Sequence, residues 1–250
     1  MELIYSRPKT LIKPGSFYCP GCLHALAGKL IAEVIQEMGV QDNTLLIASV
    51  GCGGMFKRIL DVDCASATHG RAAAAATGAC RCAPDKLVFT YQGDGDLAAI
   101  GMAETINAAN RGENFVAILI NNSTYGMTGG QMAPTTMIGQ ASTTTPGGRQ
   151  AEREGYPMHM CEIIDQLTAP RFIARYSLDK PAEIRKAKAG IRHAFDIQRA
   201  HKGYSFLELM SNCPTNWGLS PLQSLEFMRE KTLKEFPLGV FRDLEKEETL

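Results

Sequence analysis

A carboxylate held between two glycines, Gln92-Gly93-Asp94-Gly95-Asp96, follows the apolar run Lys86–Tyr91, and a pair of carboxamides, Asn121-Asn122, closes the next run, Asn114–Ile120. Glycines let the backbone come close to a ligand. A carboxylate in such a turn can approach a phosphate only if a cation lies between them. Asp94 therefore reads as a ligand for a hard divalent cation such as magnesium, and a carboxamide oxygen can complete an octahedral shell without adding charge. A helix starting near Leu97 would aim backbone N–H groups at an anion. Residues 96 to 120 are 25 in number, enough for one helix and one returning strand, so the two turns become neighbours.

Eight cysteines stand at positions 19, 22, 52, 64, 80, 82, 161 and 213. A disulfide framework explains them poorly in a chain of this length and kind. Cys19-Pro20-Gly21-Cys22 offers two thiolates at a spacing that suits one metal or one cluster, Cys52 follows the run Thr44–Val50, and Cys213 follows Ser205–Met210. Four thiolates converging at one edge suit a four-iron four-sulfur cluster or a zinc site. A zinc site on Cys19, Cys22, Cys80 and Cys82 competes with that reading. A thioredoxin-like pair does not fit well, because no strand precedes Cys19. Cys64 and Cys161 read as buried and inert, and so do Cys80 and Cys82 if zinc does not claim them. His24 either donates a hydrogen bond to a cluster or cofactor or caps its helix. His159, His193 and His201 show no partner pattern and read as surface or packing residues.

These residues need a frame. The chain has 250 residues, 45% hydrophobic and 7% aromatic, with 24 glycines, enough for one sizeable α/β domain over 1–250. Lys+Arg and Asp+Glu number 26 each, so net charge gives no attraction to nucleic acid or an anionic membrane. No apolar run approaches the roughly 18 residues of a spanning helix. Met1 to Pro14 lacks the apolar core of a signal peptide, so a cytoplasmic protein is expected. Helical periodicity marks Leu23 to Met38, Leu97 to Asn110 and Pro181 to about Lys202, and the alanine tract from Ala72 to Ala76 reads as a packed helix. Strands are expected at 44–50, 86–91, 114–120, 172–176 and 205–210. A final helix begins at Pro221, giving a helical C-terminal extension, and Glu245 to Leu250 reads as a frayed tail. This alternation predicts a mostly parallel sheet flanked by helices, with ligands at the carboxyl ends of its strands. The loops after Val50, Tyr91, Ile120 and Met210 carry the unusual residues.

Gly-Asp-Gly, about 25 residues and then Asn-Asn resembles the thiamine diphosphate motif. Three further stretches, Asn121-Asn122-Ser123-Thr124-Tyr125-Gly126-Met127-Thr128-Gly129-Gly130-Gln131, Thr68-His69-Gly70-Arg71-Ala72 and Tyr18-Cys19-Pro20-Gly21-Cys22-Leu23-His24, are similar to segments of the 2-oxoacid:ferredoxin oxidoreductases. Together they cover most of residues 17 to 148. The chain resembles the β, thiamine-diphosphate-binding subunit of that family, of the 2-oxoglutarate or branched-chain 2-oxoacid type. The resemblance implies magnesium held by Asp94, the Asn122 side chain and the Thr124 carbonyl. It implies cofactor contacts from Cys52, His69, Gly93, Asp94, Gly95, Asp96, Asn122, Thr124, Tyr125 and Met127. Among these, Met127 would support the bend of the cofactor, and His69 and Arg71 would lie near diphosphate or substrate as catalytic groups. It places a four-iron four-sulfur cluster on Cys19, Cys22, Cys52 and Cys213.

The implied reaction is oxidative decarboxylation of a 2-oxoacid to an acyl-coenzyme A, with electrons passed to ferredoxin in an anaerobic metabolism. The implied partners are an α subunit supplying the catalytic glutamate and further small subunits, one of them ferredoxin-like. The hydroxyl-rich segment Gln140 to Arg149 reads as a mobile loop, either solvated or touching substrate or coenzyme A. Arg149 would pair a distal carboxylate of 2-oxoglutarate or stand as a surface charge. The competing readings are a non-redox thiamine decarboxylase or synthase with structural zinc or inert cysteines, and a cysteine-rich binding module.

Overall fold

Strands made of uninterrupted Leu, Ile, Val and Phe must be covered on both faces. The structure, a computed structural model that describes residues 5–12 and 16–247, covers them with helices. The chain runs through α1 (His24–Met38), β1 (Thr44–Ala48), β2 (Asp63–Ser66), α2 (Ala72–Cys82) and β3 (Leu87–Gly93). A π-helical turn (Gly95–Ile100) then leads to α3 (Met102–Asn110) and β4 (Val116–Asn121). After a long loop come α4 (Ala151–Glu154), α5 (Met160–Asp165), β5 (Phe172–Ser177), α6 (Pro181–Arg199) and β6 (Ser205–Met210). The C-terminal part holds α7 (Pro214–Trp217), α8 (Pro221–Phe227), a second π-helical turn (Met228–Thr232), α9 (Leu233–Glu235), β7 (Gly239–Asp243) and α10 (Leu244–Glu247).

Among the described residues the strands form one sheet in the order β2-β1-β3-β4-β6-β5-β7, parallel except for β7. The α/β expectation holds. The four strands whose loops carry the unusual residues, β1, β3, β4 and β6, are consecutive neighbours, so their carboxyl ends form one rim. One face of the sheet packs Ile31 and Ile35 of α1 and Phe195 of α6 against Phe89 and Leu207. The other packs Ala72 and Ala76 of α2, Ala108 of α3 and Ile164 of α5 against Val88, Ala117 and Phe206.

Several elements depart from expectation. All four residues of β2 are exposed, so this edge strand carries no apolar run to announce it. The C-terminal part is not purely helical, because β7 returns to pair antiparallel with β5. The expected helix 97–110 is divided. Asp94 accepts the Gly95 N–H, the first turn widens, and regular α-helix starts after Gly101. The expected fraying of 245–250 is corrected at Glu245, which pairs with Arg171 at 2.9 Å and with Lys202. Residues 248–250 lie outside the described residues, as do 1–4 and 13–15 of the N-terminal segment.

Candidate functional site

A cleft at the shared rim is lined by His24, Val50, Gly51, Cys52, His69, Gly93, Asp94, Gly95, Asp96, Asn122, Thr124, Tyr125, Gly126, Met127 and Thr128. Asp94 sits at its floor, 1% exposed. Its carboxylate accepts Thr135 Oγ1 at 2.6 Å and the Gly95 N–H at 2.8 Å, and the Ser123 and Thr124 amides also point at it. Burial still dominates and pushes its pKa up to about 6. A carboxylate whose charge stays disfavoured despite so many donors is one that a cation would complete. Asn122 and Thr124 face the same cleft, and the Thr124 N–H bonds Asn122 Oδ1 at 3.3 Å. Gly95 admits the Tyr125 ring, since a Cβ there would fall 2.1 Å from Tyr125 Cε1. The Tyr125 hydroxyl donates to the Gly95 carbonyl at 3.1 Å, locking the two turns together. Met127 is exposed, with its side chain at the mouth of the cleft.

Asp96 plays a different part. Its Oδ1 accepts Ser49 Oγ at 2.8 Å, the Gly70 N–H at 2.5 Å and the His69 ring, and its Oδ2 accepts Gln92 Nε2 at 2.8 Å. Asp96 lines the cleft, and its carboxylate orients His69. Arg71 is not brought into the cleft. Its guanidinium turns to Glu104 at 2.8 Å and the Ile100 carbonyl at 3.1 Å on the π-helical turn and α3.

Beside this cradle lie four thiols. Cys22, Cys52 and Cys213 sense one another and Cys19 electrostatically. Burial above all pushes Cys22 up to about 12 and Cys52 up to about 11 and raises Cys213; neighbouring thiols add to this, and hydrogen bonds at His24 and Asn216 work against it for Cys22 and Cys213. Gly126 lies between them: a Cβ there would sit 3.3 Å from Cys52 Sγ and 3.7 Å from Cys213 Sγ. Asn216 ties the group together, donating to Cys213 Sγ at 3.3 Å and to the Gly126 carbonyl at 2.7 Å. Asn212 fastens the N-terminal thiols: it donates to the Gly21 carbonyl at 3.0 Å and accepts the Leu23 N–H at 3.1 Å. Among the described residues, no three His, Cys, Asp or Glu side chains are placed to share one metal ion.

The other cysteines stand apart. Cys80 and Cys82 end α2, at the opposite edge of the sheet, where Glu113 and Arg81 surround Cys80. Cys64 is exposed on β2, which corrects its reading as buried. Cys161 is buried as expected.

His24, read from the sequence as a donor to a cluster or cofactor or as a helix cap, has two partners that the sequence did not announce. His24 Nδ1 shares a hydrogen bond of 2.9 Å with the Tyr91 hydroxyl, and its ring stacks on Tyr18 at 4.9 Å. Burial pushes His24 down to about 3, so the imidazole is neutral. Its buried Nε2 has no partner among the described residues, although His24 lines the cleft. The signal was its place two residues after the second thiol of Cys-Pro-Gly-Cys. Thr135 and Asn216 carried no such signal.

Arg149 is neither a substrate clamp nor a surface charge. It is 4% exposed and donates to the carbonyls of Pro134, Thr136, Glu154, Gly155 and Tyr156 at 2.6 to 3.1 Å. The segment 140–149 is bonded back to Gly130 and Met132, not left as a free loop. The histidines also have partners: His159 meets Glu235 at 3.0 Å and His193 meets Asp243 at 3.0 Å. A larger cavity of about 470 Å³ beside Met137–Gln140 and Phe227–Glu235 holds none of the cradle or thiol residues, so size does not locate the chemistry.

Residues 49–209 match the family model of the thiamine pyrophosphate enzyme C-terminal, thiamine pyrophosphate-binding domain. The chain is 47% identical over 240 residues to the ketoisovalerate oxidoreductase subunit VorA of Methanothermobacter marburgensis, covering 96% of this chain and 50% of that protein. It is thus about half the length of that relative. It is 34% identical over 215 residues to the 2-oxoglutarate synthase subunit KorB of Archaeoglobus fulgidus, covering 86% of this chain and 76% of that one. Its fold matches a solved 2-oxoglutarate:ferredoxin oxidoreductase from Magnetococcus marinus with a TM-score of 0.81 at 23% identity, over 97% of this chain and 86% of the other. Among the described residues, no helix is long and apolar enough to cross a membrane.

Proposed function

Since this chain belongs to the thiamine pyrophosphate enzymes, among the 2-oxoacid:ferredoxin oxidoreductase subunits, we propose that it holds thiamine diphosphate, magnesium and a four-iron four-sulfur cluster for the oxidative decarboxylation of a 2-oxoacid. The observation that carries the proposal is the adjacency of two sets. A buried carboxylate facing Asn122 and Thr124 lies beside four mutually coupled thiols at one rim.

Asp94, the Asn122 side chain and the Thr124 carbonyl would hold magnesium. The Asp94–Gly95 turn would receive the diphosphate, and Met127 would support the bend of the cofactor. Thiamine diphosphate, when bound, supplies the nucleophilic carbon and the electron sink that decarboxylation needs. His69, oriented by Asp96, faces the cleft with a ring nitrogen able to hold or pass a proton at the reacting centre. Cys19, Cys22, Cys52 and Cys213 would each take a separate iron, which suits their spread better than one zinc with four sulfurs at about 2.3 Å. Cytoplasmic placement belongs to the same proposal, because such thiolates must stay reduced.

A partner α subunit would supply the glutamate and close the cleft, with ferredoxin taking the electrons and coenzyme A the acyl group. Arg149, spent on backbone carbonyls, offers nothing to the second carboxylate of 2-oxoglutarate. That, with the higher identity to the ketoisovalerate subunit, favours a branched-chain 2-oxoacid. The test is anaerobic purification with the partner. We expect a brown protein with iron, sulfide and thiamine, and at least about tenfold higher kcat/KM for 2-oxoisovalerate than for 2-oxoglutarate. A colourless, thiamine-loaded protein would support the non-redox reading instead.

The buried carboxyl also sets a pH dependence. Cation binding needs Asp94 ionised, and its pKa before binding lies at about 6. The affinity for magnesium and thiamine diphosphate should therefore be flat above that pH and fall roughly tenfold per unit below it. Calorimetric titration between pH 5 and pH 8 checks this, and a flat profile throughout would count against Asp94 as the ligand.

A further inference from the structure

Glu208 lies in the middle of β6, fully buried, and does not line the cleft. Its Oε2 accepts Arg175 Nε at 2.8 Å and the Cys161 thiol at 3.3 Å, and its Oε1 accepts Asn121 Nδ2 at 2.7 Å. Arg175 is fully buried too, and its other nitrogens reach Glu162 at 2.5 and 2.9 Å. Apolar residues of similar volume commonly serve a core as well as buried ion pairs do, so stability alone does not account for such a network. Its placement suggests another use.

Asn121 is the residue before the proposed metal ligand Asn122. Its Oδ1 accepts the Ser123 N–H at 3.1 Å. Among the described residues, Ser123 is one of two non-glycine residues with positive φ, at 56°. That left-handed conformation costs about 1–2 kcal/mol for a residue with a Cβ, so it must be held by its surroundings. Thr136 Oγ1 holds it from one side, bonding the Ser123 carbonyl at 2.7 Å. Asn121 holds it from the other. The left-handed turn brings Asn122 and Thr124 to the cleft and the Ser123 and Thr124 amides to Asp94.

An ionised carboxylate only accepts hydrogen bonds, whereas a carboxamide presents a donor on one side and an acceptor on the other. Glu208 therefore fixes, together with the Ser123 N–H, which way Asn121 faces. With Nδ2 drawn to Glu208, Oδ1 must face the Ser123 N–H. The flipped amide would set oxygen against carboxylate and NH2 against N–H.

We infer that Glu208 is a positioning residue for the cation site: it fixes the orientation of the Asn121 amide, which holds the left-handed turn that presents Asn122 and Thr124 to Asp94. The inference rests on the reading of that turn as the magnesium–thiamine diphosphate site. It assigns Glu208 no contact with cofactor or substrate.

The test uses the full chain with its partner and reads the Kd of thiamine diphosphate by calorimetry across a series of Mg2+ concentrations. In Glu208→Gln the amide can face Asn121 with either end, so the orientation is held only by the Ser123 N–H. We expect Kd, and the Mg2+ concentration at half-saturation, to rise about tenfold, with kcat at saturating Mg2+ and cofactor within about twofold of wild type. Asn121→Asp, which sets two carboxylates face to face, should lose as much or more. Asn121→Asp/Glu208→Gln restores a donor facing an acceptor and should recover Kd to within about threefold of wild type.

Asn121→Ala leaves the Glu208–Arg175 pair in place, so it keeps the inference testable if Glu208→Gln does not fold, and it should also raise Kd about tenfold. A wild-type Kd in Glu208→Gln or Asn121→Ala overturns the positioning role, as does a double variant no better than Asn121→Asp. Loss of thermal stability with unchanged Kd has the same meaning and makes the network purely structural. Failure of the wild-type complex to bind thiamine diphosphate in a Mg2+-dependent way would instead overturn the functional reading itself.

Discussion

Replacing Asp94 with asparagine should weaken magnesium-dependent thiamine diphosphate binding about a hundredfold, equivalent to about 3 kcal/mol, and raise the melting temperature of the cofactor-free protein. The two effects share one cause. Asp94 is 1% exposed, and burial pushes it from an unfolded value of 3.8 to about 6 despite donors from Thr135 and Gly95. Its folded value is raised, so ionisation favours the unfolded chain. The fold loses stability as pH rises from 3.8 toward 6, and above that pH the whole cost is present, on the order of 3 kcal/mol. A neutral carboxamide of the same shape removes that cost. It also removes the charge a divalent cation would neutralise. Thermal melting and calorimetry of Asp94→Asn and wild type, each with and without Mg2+ and cofactor, read both signs at once. A variant that binds as tightly as wild type would deny Asp94 the role of ligand, and one that melts lower without cofactor would deny that the carboxylate is strained.

Cys213→Ser should lose the brown colour and lower bound iron and sulfide about tenfold, whereas Cys82→Ser should leave both unchanged. Cys213 is 8% exposed and coupled to Cys19, and Gly126 keeps room beside it and Cys52. A hydroxyl is a harder and less acidic ligand than a thiol and binds iron poorly in such a site. Cys82 ends α2 at the far edge of the sheet and is not among the groups coupled to these thiols. Iron and sulfide analysis with an absorption spectrum on anaerobic protein separates the outcomes. Full occupancy in Cys213→Ser would remove it from the ligand set, and loss in Cys82→Ser would revive the zinc-type grouping with Cys19 and Cys22.

Apolar period and strand-end chemistry made most of this site legible. Ser205–Met210 is filled with buried side chains and lies between Gly203 and the polar pair Ser211-Asn212, so its limits were readable to the residue, and with them the place of Cys213. Cys52 was located in the same way by the end of β1. What stayed hidden depends on side chains meeting across distance. Arg149 looked like a free cation because nothing local shows that five carbonyls surround it. Arg71 looked apt for a diphosphate because its pairing with Glu104 depends on how α3 docks. Nothing local shows that Asp96 takes donors from Ser49, His69, Gly70 and Gln92, three of them far away in sequence. The edge strands β2 and β7 lack the signature of a strand covered on both faces. The widened turn at Gly95–Ile100 follows from Asp94 capping its own successor, which periodicity does not register.

The bonds from Asn212 to Gly21 and Leu23 join parts of the chain about 190 residues apart. Closing a loop of that length costs the unfolded chain on the order of 5 kcal/mol in entropy, a cost already met by the time the sheet has folded. The protein therefore differs from a zinc finger, in which the metal itself drives folding. If the proposed cluster binds, its loss to oxygen should leave the backbone standing and open to reconstitution.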